Sequence, residues 1–136
     1  MTKDFTLDEF LHSRFFAAAG VQDKVIESYQ QNTAVQENIK VLAEQLQIIR
    51  DYVGQPITIN IAYRPHWWEK MRGRGGTSQH CLGKAADIYA PGLTIIELYR
   101  TIQSLIAQGK IKNGGLGLYN TFIHYDIRQT PARWRK

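Results

Sequence analysis

Residues 78–87 run Ser78-Gln79-His80-Cys81-Leu82-Gly83-Lys84-Ala85-Ala86-Asp87, and they say more about the fold of this 136-residue chain than any other stretch. Gly83 and the small residues after it permit a tight turn that leads into a short strand. His80 and Asp87 stand on either side of this turn, so both side chains can reach one point. A lone pair of this kind is more often a surface hydrogen bond, so its meaning depends on a third polar group elsewhere.

A third group lies in Phe122-Ile123-His124-Tyr125-Asp126-Ile127-Arg128. The alternation predicts a strand, in which every second side chain shares a face. His124 and Asp126 then point to one side, and the apolar residues between them point to the core. The plain alternative is a solvated polar face. His80, Asp87 and His124 together would supply two histidines and a carboxylate, a set that suits a catalytic zinc ion with one open position.

The first half of the chain predicts helices followed by a strand. Apolar residues at steps of three and four predict a helix over about 34–53, which Gly54 ends. Ile57-Thr58-Ile59-Asn60-Ile61 alternates apolar and polar residues and predicts a strand. Capping-box patterns at 6–9 and 94–97 predict two further helix starts. Helices and strands segregated in this way are typical of the α+β class.

The second half predicts a sheet and its connections. Residues 63–76 form a long basic loop with three glycines and a proline. Asn113-Gly114-Gly115 predicts a hairpin turn before a strand over 116–119. We expect one domain over residues 1–136, with residues 1–33 as a helical lead-in and an antiparallel sheet flanked by helices.

The composition excludes several classes of protein. Lys and Arg number 17 against 12 Asp and Glu, which gives a net charge of +5 and suits an anionic partner. The single cysteine, Cys81, rules out an internal disulfide framework. No run of residues approaches the ~20 apolar positions of a membrane span. Arginines could bind phosphates, but no nucleic-acid-binding motif is present, so we expect no nucleic-acid partner. Without a strong apolar seam, we expect a monomer.

Several motifs occur together in one order along the chain. They are Ile59-Asn60-Ile61-Ala62-Tyr63-Arg64, Ser78-x-His80-x-x-Gly83-x-Ala85-x-Asp87, Gly115-x-Gly117-x-Tyr119 and His124-x-Asp126-x-Arg128. This arrangement resembles the bacterial and phage zinc peptidases that cleave D-amino-acid bonds in peptidoglycan. That family includes D-Ala-D-Ala carboxypeptidases and L-Ala-D-Glu endopeptidases, and it shares its fold with the Hedgehog signalling domain. The resemblance extends over roughly residues 30–134.

The resemblance implies one zinc ion held by His80, Asp87 and His124. It implies hydrolysis of a stem-peptide bond that involves a D-amino acid, either by a D-Ala-D-Ala carboxypeptidase or by an endolysin-type endopeptidase. The partner would then be a peptidoglycan stem peptide. The N-terminus shows no secretory signal. We therefore expect a chain that is cytoplasmic until it is released, or that acts at the cell wall.

The resemblance also assigns roles around the metal. Arg64 would meet the carboxylate or the developing oxyanion of the substrate, because a guanidinium is always charged and can form paired hydrogen bonds. Ser78 and Gln79 would flank the metal and bind substrate, and His66 in the basic loop would line the same site. Asp126 would either orient a ligand histidine or carry protons in catalysis.

One position departs from the family pattern. Many of these peptidases carry an acidic general base three residues before the last zinc histidine, where this chain has Thr121. A threonine cannot accept a proton at neutral pH. Three interpretations follow: Asp126 or His66 acts as the base, the metal alone activates water in a slow enzyme, or the domain is a non-catalytic zinc-containing module that binds cell-wall peptide.

Overall fold

The computed structural model describes residues 1–136 as a layered arrangement of helices and one sheet. The helices are α1 (Leu7–Leu11), α2 (Arg14–Ala18), α3 (Gln22–Gln30), α4 (Thr33–Val53), α5 (His66–Met71) and α6 (Ile95–Ala107). The strands are β1 (Thr58–Ile61), β2 (Ala85–Tyr89), β3 (Gly115–Leu118), β4 (Ile123–Asp126) and β5 (Ala132–Arg135). This content confirms the predicted α+β class. None of the helices combines the length and the apolar character that crossing a membrane requires.

The five strands form one mixed sheet in the order β1-β2-β4-β3-β5. The first four strands in this order pair antiparallel, as predicted, but β5 pairs parallel with β3. The reason is the short connection over residues 127–131, which turns the chain back on itself. Because β5 runs opposite to β4, and β3 also runs opposite to β4, β5 and β3 point the same way. The basic tail therefore becomes the edge strand of the sheet.

Two of the predicted connections differ from the structure. The basic loop over 63–76 contains α5, which begins after Pro65, whose fixed φ suits a chain entering a helix. Asn113-Gly114-Gly115 is not a hairpin turn, because Gly115 already begins β3. Residues 119–122 make the hairpin instead, with Tyr119 and Phe122 stacked at 4.3 Å between ring centroids.

The hydrophobic core contains 28 buried residues and includes side chains of α4, α6 and one face of the sheet. The predicted apolar stripe of α4 is buried at Val35, Ile39, Leu42, Leu46 and Ile49. From the sheet, Ile88, Ile123 and Tyr125 are completely buried in this core. Alternation along β2 and β4 then sends Asp87 and His124 to the opposite face. A slip of one residue would move these polar groups into the core, so the core also fixes the position of the site.

Candidate metal centre

The site lies on a row of residues that crosses the sheet. Asp87 on β2 is the cross-strand partner of His124 on β4. His124 is in turn opposite Gly117 on β3, which is opposite Trp134 on β5. Side chains at directly opposite positions lie about 5 Å apart, so strand register alone brings a carboxylate, an imidazole and an indole together. The indole of Trp134 occupies the space above Gly117, with its centroid 4.8 Å from that of the His124 ring.

His80 reaches this row from a 3₁₀ turn over Gln79–Leu82. The turn begins where Ser78 Oγ accepts a hydrogen bond from the His80 backbone N–H, and it ends at Gly83 with a φ of 74° that favours glycine. His80 Nδ1 donates to the carbonyl oxygen of Ala62 at 2.7 Å. Because a carbonyl only accepts, this bond fixes the tautomer and leaves the lone pair of Nε2 available to a metal ion.

His80, Asp87 and His124 together have the geometry of a three-ligand zinc site. One oxygen of Asp87 lies 3.3 Å from Nε2 of His80 and 3.2 Å from Nδ1 of His124. The ligand atoms of all three residues lie within 4.8 Å of one another, and all three residues are buried. In a tetrahedral zinc site with bonds of about 2.0–2.1 Å, neighbouring ligand atoms are about 3.3–3.4 Å apart. The donor set and its spacing therefore fit one zinc ion.

Asp126 contacts His124 on the side of the ring that faces away from the other two candidate ligands. Its Oδ2 lies 2.7 Å from Nε2 of His124, on the opposite side of the ring from Asp87. The same carboxylate accepts hydrogen bonds from the side chain and backbone N–H of Arg128 and from the backbone N–H of Gly115. Gly115 is required here, because a Cβ at this position would lie 2.2 Å from Asp126 Oδ2. A carboxylate behind a ligand histidine orients the ring and raises its basicity.

The ionisation of these groups follows from their hydrogen bonds. Burial alone would raise the pKa of Asp87, but the two imidazoles beside it, those of His124 and His80, outweigh burial and hold the pKa far below its usual range. The pKa of Asp126 is lowered in the same way, against burial, by its hydrogen bonds with His124 and Arg128. Burial would lower the pKa of His124, but the two flanking carboxylates raise it. Both carboxylates are therefore ionised at neutral pH.

Arg64 lines the same cavity as the candidate metal ligands and is held by a buried acid. Its backbone N–H donates to the carbonyl oxygen of His80 at 3.1 Å. Its Nη2 lies 3.4 Å from Oε1 of Glu69, whose other oxygen lies 2.7 Å from Nη1 of Arg74. The Arg64 side chain keeps 19% of its surface exposed, and its Nε is buried with no hydrogen-bond partner. A buried donor without a protein partner is uncommon, and water or a ligand acceptor would satisfy it.

Glu69 was not predicted from the sequence. It lies on α5, inside the segment expected to be a loop, and its side chain is only 2% exposed. Pro65 followed by a short polar and aromatic segment with an acid in its first turn is a helix-start signal that could have indicated it. Its burial between two arginines depends on tertiary packing and has no sequence signature.

Of the other residues singled out from the sequence, some lie in the cleft and His66 does not. Ser78 and Gln79 line the cavity around the metal ligands, and Gln79 Oε1 is buried without a partner. Thr121 is exposed and lies at the rim of the neighbouring cavity. His66 is not brought to the site: it is exposed at the start of α5, and its Nδ1 donates to the carbonyl oxygen of Gly76.

Two adjoining cavities of about 500 and 820 Å³ meet at Asp87, and the smaller one also contains His80 and His124 in its lining. Residues common to the linings of both are Arg64, Arg74, Asp87 and Phe122. We treat them as one cleft. Asp87 is the only acidic residue that lines either cavity. Every other charged group along the cleft is a cation or a histidine, so the cleft as a whole favours an anionic ligand.

Comparison with known proteins identifies the family. No curated protein matches the chain. The model of the family described as Peptidase M15 matches residues 3–126. This range contains His80, Asp87 and His124, and the zinc dependence of the family agrees with the buried His-Asp-His set. The chain belongs to the M15 peptidase family, a family of zinc-dependent metallopeptidases.

Proposed function

We propose that this metallopeptidase hydrolyses a peptidoglycan stem-peptide bond that involves a D-amino acid, as a D-Ala-D-Ala carboxypeptidase or an endolysin-type endopeptidase acting at the cell wall. The observation that carries the proposal is the buried His80-Asp87-His124 set with the unpartnered Nε of Arg64 in the same cleft. When bound there, zinc would supply a Lewis acid that polarises a carbonyl group and lowers the pKa of water. We propose a monomer, since one chain contains every element of this site.

Arg64 and Gln79 would position the substrate. The free Nε–H of Arg64 is a charged donor suited to a carboxylate or a carbonyl oxygen. The free Oε1 of Gln79 is an acceptor suited to a peptide N–H. Both side chains line the same cavity, and a peptide group offers one acceptor and one donor, so we propose that the two side chains pair with a peptide laid along the cleft. Ser78 lines the same cavity, although its Oγ already accepts the His80 N–H.

Proton transfer in this cleft would not use an ordinary carboxylate base. Asp126 is fully buried behind His124, and both of its oxygens already accept hydrogen bonds. His66 lies away from the cleft lining. Of the two roles expected for Asp126, orientation of His124 is the one that this geometry favours. We propose that the reaction proceeds without a side-chain carboxylate as general base, which predicts a slow enzyme.

Product masses test the proposed substrate directly. The zinc-loaded chain is incubated with a panel of synthetic stem peptides, some ending in D-Ala-D-Ala and others containing an internal L-Ala-D-Glu bond. Loss of one terminal alanine would identify a carboxypeptidase, and internal cleavage an endopeptidase. Cleavage should stop with a chelator and return when zinc is restored. Cleavage of all-L control peptides at equal rates would overturn the assignment of a D-amino-acid substrate.

A second function is favoured by Thr121 alone. With threonine at the rim of the cleft and no acidic residue there besides Asp87, the chain could be a zinc-containing module that binds cell-wall peptide without cleaving it. In that case the zinc-loaded chain would bind stem peptides in calorimetry and leave every one of them intact. Any chelator-sensitive cleavage would exclude this function.

A further inference from the structure

The larger cavity of the cleft is lined by several arginines that have no role in binding the metal. Arg14 at the start of α2, Arg72 at the end of α5 and Arg74 just beyond it all line the 820 Å³ cavity, which also reaches Asp87. We call this set the arginine arm. None of its members belongs to the metal centre, and Arg14 and Arg72 come from distant parts of the chain.

The arginine arm carries charge that the chain does not neutralise. Arg14 and Arg72 have no carboxylate within ion-pair distance; instead they lie over aromatic rings, at 5.1 Å from Phe15 and 4.9 Å from Trp68. Arg74 shares the single carboxylate of Glu69 with Arg64. Stacking of this kind holds a guanidinium in place while its N–H groups remain available to a ligand.

The arginine arm is continuous with the metal centre. Glu69 holds Arg64 and Arg74 on one wall, and both arginines line the two cavities that meet at Asp87. A single extended ligand can therefore occupy the arm and reach the metal centre along one cleft. Because the substrate of a peptidase is a peptide, the anionic group available to the arm is a carboxylate, which the planar fork of a guanidinium matches.

We propose that the arginine arm is a subsite for a second carboxylate of the substrate. The preferred substrate is then an acidic peptide, with a carboxylate that reaches the arm in addition to any group that Arg64 binds. This inference rests on the proposed peptidase function and deepens it, because it names the chemistry that the cleft selects. A peptide in which the same carboxyl group is amidated should be a poor ligand.

The test compares acid and amide forms of one stem peptide on the zinc-loaded chain. Calorimetry with the peptide products gives dissociation constants, and hydrolysis of the intact peptides gives kcat and KM. In the wild-type chain the acid form should bind roughly tenfold more tightly than the amide, since a charge-assisted contact contributes about 1.5 kcal/mol. The difference should appear in KM, because the arm lies away from the reacting bond.

Substitution identifies the arm as the source of the preference. In Arg72→Gln and Arg14→Gln the advantage of the acid form should fall to about twofold or less. Arg100→Gln is the matched control: Arg100 is exposed on α6 and lines neither cavity of the cleft, so the tenfold preference should persist. Retention of the preference in both arm variants would overturn the proposal.

Two further results would also overturn it. Equal binding of acid and amide products to the wild-type chain would show that no second carboxylate is recognised. Tighter binding of a soluble polyphosphate than of the acid peptide would make a phosphate polymer the ligand of the arm. Failure of the proposed function is distinguishable, since the calorimetric preference for the acid form does not require that either peptide be cleaved.

Discussion

Asp126 Oδ2 lies 2.7 Å from Nε2 of His124, while Nδ1 of the same ring faces Asp87 at 3.2 Å. The imidazole therefore stands between Asp87, a carboxylate of the candidate metal-binding set, and Asp126, a carboxylate outside that set. Arg128 and the backbone of Gly115 hold Asp126 in place. This relationship fixes which nitrogen of His124 can bind metal, because the other nitrogen is occupied.

Asp126→Asn should weaken zinc binding while the chain stays folded. The amide keeps the shape of the side chain but removes the charge that supports the His124 ring, so zinc affinity should fall about 10- to 100-fold. Competition with a chromophoric chelator measures this affinity. Asp23→Asn, at an exposed position on α3, is the control and should leave it unchanged. An unaltered affinity in Asp126→Asn would remove Asp126 from the metal centre.

Arg64→Lys should preserve zinc and lower turnover. Lysine keeps the positive charge beside Glu69 but lacks the Nε–H and the planar fork that a carboxylate or carbonyl oxygen would meet. We expect kcat/KM on stem peptides to fall roughly 100-fold, a loss of about 2.7 kcal/mol of transition-state stabilisation. Zinc content should remain that of the wild type. A variant with wild-type kcat/KM would exclude Arg64 from substrate binding.

Thr121→Glu should raise the rate of hydrolysis. Thr121 is exposed at the rim of the cleft, and Asp87 is the only acidic residue lining it. A carboxylate introduced there would supply the missing general base, a group that typically contributes 10²- to 10⁴-fold where it is well positioned. We expect at least about a tenfold gain in kcat. Thr121→Gln is the matched control of similar size without the charge. An equal rate in both variants would show that the cleft already contains an effective base.

Gly117→Ala should loosen the edge of the sheet. A Cβ at Gly117 would lie 2.4 Å from the indole of Trp134, so the ring must leave its place beside His124. We expect a loss of about 1–3 kcal/mol in the free energy of unfolding, measured in urea, with a change in tryptophan fluorescence. Gly75→Ala is the control, since its Cβ would meet only Thr77 Oγ1 at 3.8 Å. Unchanged fluorescence in Gly117→Ala would contradict this packing.

Local sequence patterns predicted much of the fold, because helix periodicity, helix capping and glycine conformation depend on residues close together in the chain. The α4 helix follows from its apolar stripe, and the left-handed Gly54 with a φ of 70° ends it as expected. The α6 capping box forms between Thr94 and Glu97. The parallel pairing of β5 with β3 was not predictable in this way, because it depends on which strand the chain meets after the connection over residues 127–131, where Trp134 packs above Gly117.

In the candidate site, too, the features set by local sequence were predictable and those set by tertiary packing were not. His80, Asp87 and His124 could be selected from residue type and strand alternation, and the structure brings them together. For Asp126 the sequence left two roles open, orientation of a ligand histidine and proton transfer. It could not decide between them, because the decision depends on the hydrogen-bond donors that Gly115 and Arg128 supply. The burial of Glu69 between two arginines and the assembly of the arginine arm could not be found, because both depend on the packing of α2, α5 and the segment after α5.

Zinc content is the most direct test of the metal centre. The chain is purified without a histidine tag, loaded with zinc, dialysed and quantified by elemental analysis, beside His124→Ala and the conservative Asp87→Asn. We predict about one zinc ion per wild-type chain and a large loss of zinc from both variants, with circular dichroism confirming that at least one variant is folded. A folded wild-type chain without zinc, or a full zinc ion in either variant, would contradict the assignment of His80, Asp87 and His124 as the metal ligands.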